Sequence, residues 1–245
     1  MHIKTTFKRL EKKYILSLSQ YEKIKYETDK RFNPDEFGET KICNIYFDTP
    51  NNVLIRRSIE KPKFKEKLRL RTYGVPTSSD YASFIEIKRK YASEVYKRRI
   101  GLPLSESVNF LCNGKIPPKE TQIAKEISYF LSFYDGIAPA FYISCDRSAF
   151  FLKNDENVRL TFDKNIVWRD YDLDLTKGSY GSLLIPKDAV LMEIKVPSTV
   201  PLWLAELLSD SGAFGSSFSK VGSAYINSVK QRSNINEQII SEYIY

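Results

Sequence analysis

One histidine, His2, and three cysteines, Cys43, Cys112 and Cys145, are all that this 245-residue chain offers to the usual nucleophile and zinc chemistries. The cysteines are odd in number, widely spaced and without a CxxC pair, which argues against a disulfide framework and a zinc cage. A lone histidine in the N-terminal tail leaves Ser-His-Asp and Cys-His mechanisms without their base. Neither GxxxxGK[ST] nor GxGxxG occurs, so the common nucleotide-binding loops are absent. Apolar runs are too short and too often broken by charge to span a bilayer, and MHIKTTFKRLEKKY has no apolar stretch before a small-residue cleavage site. A soluble, cytoplasmic chain with no secretory signal and no transmembrane segment of its own is the expectation.

What is present is aromatic and basic. With 15 Phe, 16 Tyr and a hydrophobic fraction of 42%, the chain is too apolar for disorder and long enough for a sizeable core. No low-complexity linker divides it, so a single domain over residues 1–245 is expected. The formal net charge of +8 points to a polyanionic partner: nucleic acid, an anionic membrane surface or a phosphate-rich small molecule. The positions of the charges decide among these.

Period-two patterns predict strands in TFKRLEKKYIL, KICNIYFDT, KFKEKLRLRTY, YASFIEIKRKY, EVYKRRIG, PAFYISCDRSAF, NVRLTFDKNIVWR and AVLMEIKVP. Helical periods occupy SLSQYEKIKYETDKRF, with Ser17 or Ser19 as N-cap, then NNVLIRRSIE, LSESVNFLCNG, PKETQIAKEISYFLSFYDG, VPLWLAELLSD and SKVGSAYINSVKQR. Eight principal strands joined mostly by short links predict an antiparallel α+β fold.

KFKEKLRLR, residues 63–71, carries a cation at every second position. Lysines that guard an edge strand would explain one such face. They do not explain Glu11 with Lys13, Glu86 with Lys88 and Lys90, Lys97 with Arg99, Arg159 with Thr161 and Asp163, and Glu193 with Lys195, each on one face of its strand. Eight strands are about the number that closes a narrow barrel. With charged faces inward and apolar faces outward, the helices would cover the outside and the lumen would be basic. Buried cations demand counter-charge, since each one isolated costs several kcal/mol. Carboxylates among them fit a hard divalent cation shared with phosphate oxygens, and arginine forks fit the phosphate itself. Nucleic acid is disfavoured, because aromatics do not interleave with the cations on their own faces as base stacking requires.

FKRLEKKYIL (7–16), YFDT (46–49), KFKEKLRLRTYG (63–74), FIEIKRK (84–90), YKRR (96–99), CDRSAF (145–150), VRLTFDKNI (158–166), LMEIK (191–195) and FSKVGSAY (218–225) occur in this order along nearly the whole chain. In these segments the sequence resembles the VTC domain, the polyphosphate polymerase branch of the triphosphate tunnel metalloenzyme (CYTH-like) superfamily. The resemblance implies an eight-stranded antiparallel β-barrel tunnel surrounded by helices, with a polar, basic lumen. It implies transfer of the terminal phosphoryl group of ATP onto inorganic polyphosphate, with Mn²⁺ or Mg²⁺ as cofactor and ATP, pyrophosphate and polyphosphate as partners. By position it implies Lys13, Arg69, Arg71, Lys88, Arg147, Arg159 and Lys220 as the catalytic phosphate-binding set. Lys65, Lys67, Lys97, Arg99, Lys195 and Ser219 are implied as further nucleotide-binding members. Glu193 is implied as principal metal ligand, with Glu11 and Glu86 assisting the metal or pairing with lysines. Where hydrolase and cyclase branches resemble ExExK on the first strand, this chain has Arg9 in RxExK, which favours the polymerase branch. An inorganic or nucleoside triphosphatase and a non-catalytic polyphosphate or inositol-phosphate binding module are the alternatives. Relatives that work beside transmembrane segments leave a membrane partner open.

Overall fold

The computed structural model describes residues 10–243 except 61, 93 and 118–120, with side chains to residue 233. His2 and Arg9 lie outside the described residues. The chain opens with β1 (Leu10–Ser17), which runs straight into α1 (Leu18–Arg31). Ser17 makes that switch: its hydroxyl accepts the Gln20 N–H while the Gln20 side chain accepts the Ser17 N–H, a reciprocal cap. β2 (Phe32–Asp48) ends where Asp48 turns the chain into α2 (Val53–Ile59). The Asp48 carboxylate accepts the backbone N–H groups of Leu54 and Ile55 at 2.9 and 2.8 Å. A meander of β3 (Phe64–Tyr73), β4 (Ala82–Tyr91) and β5 (Glu94–Pro103) leads to α3 (Leu104–Asn113) and α4 (Gln122–Phe133). The hairpin β6 (Ala138–Leu152) and β7 (Asp155–Arg169) follows, then the two-residue β8 (Ser182–Leu183) and β9 (Ala189–Val196). α5 (Leu202–Asp210), the two-residue β10 (Gly215–Ser216) and α6 (Lys220–Tyr243) complete the order.

Every ladder is antiparallel, in the order β10-β1-β9-β7-β6-β2-β3-β4-β5 with β8 beside β7. The α+β class and the eight long strands agree with the sequence reading. The closed eight-stranded barrel does not. Two short strands raise the described sheet to ten, and its hydrogen-bonded path is open between β5 and β10. β10 pairs with β1 at Lys13 and Tyr14, occupying the edge that β5 would need to complete a barrel.

The sheet still curls on itself. Lys88 on β4 and Glu11 on β1 belong to strands near opposite ends of the ladder, yet their charged groups lie 3.5 Å apart. On the convex side, Ile45, Leu68, Leu70, Ile85 and Ile87 pack against Phe110 of α3 and Ile127 and Phe130 of α4. Further round, Leu16, Leu160, Phe162, Met192 and Ile194 pack under Ile24 of α1 and Leu204 of α5. Each such side chain contributes about 1.5–3 kcal/mol when fully buried, so these helices hold the curl from outside. Part of the concave side is apolar as well: Ile42, Ile143, Cys145 and Leu191 meet Ile55 of α2 and Val221 and Ala224 of α6. The rest of it is charged. Among the described residues no helix is long and apolar enough to cross a membrane.

Candidate functional site

Residues directly opposite in an antiparallel ladder share a face. The pairs Lys13–Glu193, Glu11–Lys195, Arg159–Lys195, Arg147–Asp163, Arg69–Glu86, Lys67–Lys88, Lys65–Lys90, Glu86–Arg99 and Lys88–Lys97 therefore place almost all the expected site residues on the concave side. Ser219 and Lys220 reach the same face from the start of α6: Lys67 Nζ donates to Ser219 Oγ at 3.3 Å, and Lys220 Nζ stands 2.5 Å from Asp163 Oδ2. Ser219 Oγ also accepts the Gly222 N–H, which seats the helix start there. Lys13 Nζ donates to the Phe218 carbonyl at 3.1 Å. Lys65 turns to the end of α2 and donates to the Ser58 carbonyl at 3.3 Å.

The four carboxylates on this face fall into two kinds. Glu86, 1% exposed, is held by Arg69 Nε and Nη2 at 2.7 and 2.6 Å on one oxygen and by Lys97 at 2.6 Å on the other. Asp163, fully buried, takes both arms of Arg147 at 2.6 and 2.7 Å as well as Lys220. Glu193 and Glu11 have only looser partners among the described residues: Lys13, Lys195 and Lys220 stand 3.5–3.7 Å from Glu193, and Lys13 and Lys88 stand 3.4 and 3.5 Å from Glu11. Arg71 is held by Asn44 Oδ1 at 2.8 Å and lies 3.8 Å from Glu86. Arg159 and Arg99 have no ion pair among the described residues; Arg99 lies over the Phe84 ring, 5.0 Å from its centroid.

The surplus of positive charge shifts the titration of its neighbours. Burial would raise the Glu11 carboxyl, but Lys88, Lys13 and Lys195 outweigh burial and the charge of Glu193 and lower it to about 2. Glu193 is held well below the carboxylate range against its burial, by Lys220, Lys195, Lys13 and Arg147. Burial, together with Lys88, Lys13 and Lys65, brings the Lys67 ammonium down to about 8. Lys97 falls to about 8 through burial and the charges of Arg69 and Arg71, against the pull of Glu86. The Tyr46 phenol, which burial alone would raise, is lowered to about 8 by Arg69, Lys67 and Arg71; Arg69 Nη1 donates to its oxygen at 3.1 Å.

Among the described residues no three Asp, Glu, His or Cys side chains gather as a metal cage. A hard divalent ion that is completed by phosphate oxygens needs only one or two carboxylates. Glu193 and Glu11, with their loose lysine contacts, fit that demand; Glu86, with both oxygens already in close ion pairs, is poorly suited. Cys145 also borders this face, but burial and Asp163 push its thiol up to about 12, so it is no nucleophile at neutral pH. A second concavity of about 760 Å³ lies outside the sheet, walled by Phe64, Tyr129 and Phe133. Its two carboxylates are paired: Arg89 stands 3.0 Å from Glu66 and 3.5 Å from Glu126, and Tyr134 donates to Glu66 at 2.6 Å. The expected site residues are gathered on the concave face instead.

Asp163, Tyr46 and Asn44 are the partners that sequence reasoning did not assign. Asp163 stands two residues beyond Thr161 in the same alternation as Arg159, and Asn44 and Tyr46 stand two apart on β2. That periodicity was the available signal.

No curated protein matches the chain in sequence. A candidate adenylate cyclase from Bacillus halodurans superposes with a TM-score of 0.55 at 14% identity, covering 88% of this chain and 95% of its own. Likeness at that identity is one of fold. A candidate adenylate cyclase from Vibrio parahaemolyticus has a TM-score of 0.45 at 13% identity, over 86% of this chain and 94% of its own. The VTC domain matches residues 8–231, a span that contains every charged strand of the concave face. With its cation-lined, inward-curled sheet and this near-complete match, the chain belongs to the VTC domain family.

Proposed function

We propose that this protein is a metal-dependent polyphosphate polymerase that transfers the terminal phosphoryl group of ATP onto the end of a growing polyphosphate chain. The observation that carries the reading is the uncompensated charge of the concave face, where Arg159, Arg99 and Lys67 have no carboxylate partner among the described residues beside the loosely paired Glu11 and Glu193. Phosphoryl transfer asks mainly for positioning and charge stabilisation. Arg69, Arg71, Arg147 and Arg159 clamp non-bridging oxygens, with Arg69 and Arg147 pre-oriented by Glu86 and Asp163. Lys13, Lys67, Lys88, Lys195 and Lys220 complete the cradle. The bond between the γ-phosphorus and its bridging oxygen breaks, ADP departs, and a terminal oxygen of the acceptor takes the phosphoryl group. That oxygen is already anionic at neutral pH, so no histidine or other strong base is needed. Glu193, assisted by Glu11, would hold Mn²⁺ or Mg²⁺, which when bound neutralises phosphate charge.

The test is to incubate the purified protein with ATP, Mn²⁺ and a trace of pyrophosphate and to resolve the products on a gel stained for polyphosphate. A ladder of long chains that disappears in Glu193→Gln is expected. Free phosphate without polymer would mean a triphosphatase, and anion binding without turnover a binding module; either refutes the polymerase reading.

A further inference from the structure

Thr161 lies in the middle of the charged face. On β7 it stands between Arg159 and Asp163, and its ladder partners are Glu193 on β9 and Ala149 on β6. Leu160 and Phe162 on either side point into the apolar cluster under α1 and α5, so the Thr161 side chain projects to the cation-lined side. The residue is 7% exposed, and its Oγ1 has no hydrogen-bond partner among the described residues. An unpaired buried hydroxyl costs about as much as a lost hydrogen bond, so such a group calls for an explanation. Four other atoms among the described residues share the condition, but Tyr142 Oη and Trp168 Nε1 belong to large rings packed within apolar clusters, Ser211 Oγ lies at the C-cap of α5, and Glu86 Oε1 is in an ion pair with Lys97. Thr161 has instead the charged Arg159 and Asp163 beside it on its own face of β7 and the charged Glu193 opposite it on β9.

A cation at this position would be drawn into an ion pair with Glu193 or Asp163. A hydroxyl is neutral and keeps a donor for an incoming oxygen. We propose that the Thr161 hydroxyl is a binding group for the phosphate chain, donating a hydrogen bond to a non-bridging oxygen of a linear oligophosphate held by Arg159 and Lys195. The assignment rests on the phosphate reading of this face, and extends it to a residue that carries no charge.

Calorimetric titration with inorganic tripolyphosphate in Mg²⁺ buffer, together with thermal melting of the ligand-free protein, tests it without reference to turnover. Thr161→Val replaces the hydroxyl by a methyl of nearly the same shape. The expected result is affinity weakened about tenfold or more, as for loss of a hydrogen bond to a charged group. The Tm of the free protein should stay level or rise by about 2–4 °C, because no structural hydrogen bond is removed. Thr161→Ser should bind within about threefold of the wild type, since it keeps the donor. Equal affinity in the valine variant, a clear fall in its Tm, or a serine variant as weak as the valine one would each overturn the assignment. Wild-type protein that does not bind tripolyphosphate would instead remove the phosphate reading of the whole face, a result plainly distinct from loss in one variant.

Discussion

Cations of this face that look alike in sequence are set apart by their partners. Arg147 is locked to the fully buried Asp163, whereas Arg159 has no ion pair among the described residues. Arg147→Ala should therefore lower folding stability by about 3 kcal/mol or more, because it breaks a buried pair and leaves Asp163 with Lys220 alone. Arg159→Ala should leave the Tm nearly unchanged while weakening tripolyphosphate binding about tenfold. Denaturant titration and calorimetry on the two variants check the contrast, and equal stability losses would refute it. The same logic divides the glutamates. Glu86→Gln should destabilise the fold by leaving Arg69 and Lys97 short of charge without touching the proposed metal site, while Glu193→Gln should cost stability too, since Lys220, Lys195 and Lys13 favour its charged form, and on the metal reading should also remove metal-dependent turnover. A Glu86→Gln protein of wild-type stability would contradict the division.

Helix α2 is the element on which the inner face depends most locally. Its first turn hangs on Asp48, the last residue of β2, which accepts from Thr49, Leu54 and Ile55 at 2.7–2.9 Å. Four unsatisfied N–H groups begin every helix, and an acidic side chain there also meets the positive end of the helix dipole. Through Ile55, α2 packs into the apolar part of the concave face, and through the Ser58 carbonyl it receives Lys65. Asp48→Ala should cost about 1–2 kcal/mol, near the upper end for a lost cap. Thermal melting measures the cost, and an unchanged Tm would show that the helix stands without it. The pattern YFDT thus serves two ends: Tyr46 faces the cations and Asp48 builds the helix beneath them.

Across the molecule, crowding of positive charge couples protonation to both stability and ligand affinity. Lys67 and Lys97 are lowered to about 8 from the usual lysine range near 10.5, and Tyr46 to about 8 from near 10. Between about pH 8 and 10 the unfolded chain keeps these protons while the folded chain has lost them, so folding stability from these groups increases with pH. Phosphate binding, on the proposed reading of this face, would have the opposite trend, because it favours the protonated lysines and is opposed by the tyrosinate. Melting of the free protein should therefore shift upward, and tripolyphosphate affinity should fall, as pH rises from 8 to 9.5. Net proton uptake should accompany binding near pH 8, measurable by calorimetry in buffers of different ionisation heat. Lys67→Arg with Lys97→Arg should flatten the affinity trend, since arginine does not deprotonate there; an unchanged slope would place the titration elsewhere.

Alternation of charge with Leu and Ile told, from sequence alone, which side of each long strand is inward: Lys65, Lys67, Arg69 and Arg71 against Leu68 and Leu70, and Arg159 against Leu160. Ser17 or Ser19 was the expected cap between β1 and α1, and Ser17 takes the role, because a capping side chain acts within three residues. These features were legible because a pleated strand and a helix end are set by neighbours in the chain. Which carboxylate meets which cation was decided only by the tertiary structure. Glu86 and Glu193 occupy nearly the same motif, FIEIK and LMEIK, yet one is clasped at 2.6 Å and the other loosely surrounded. β10, two residues inside a Gly/Ser loop, has too little pattern to be read, but it takes the edge of β1 and leaves the sheet open. Such outcomes depend on ladder register and on the curl that brings Lys88 to Glu11 across 77 residues of sequence. Local alternation determines where a side chain points; long-range packing alone determines what it meets.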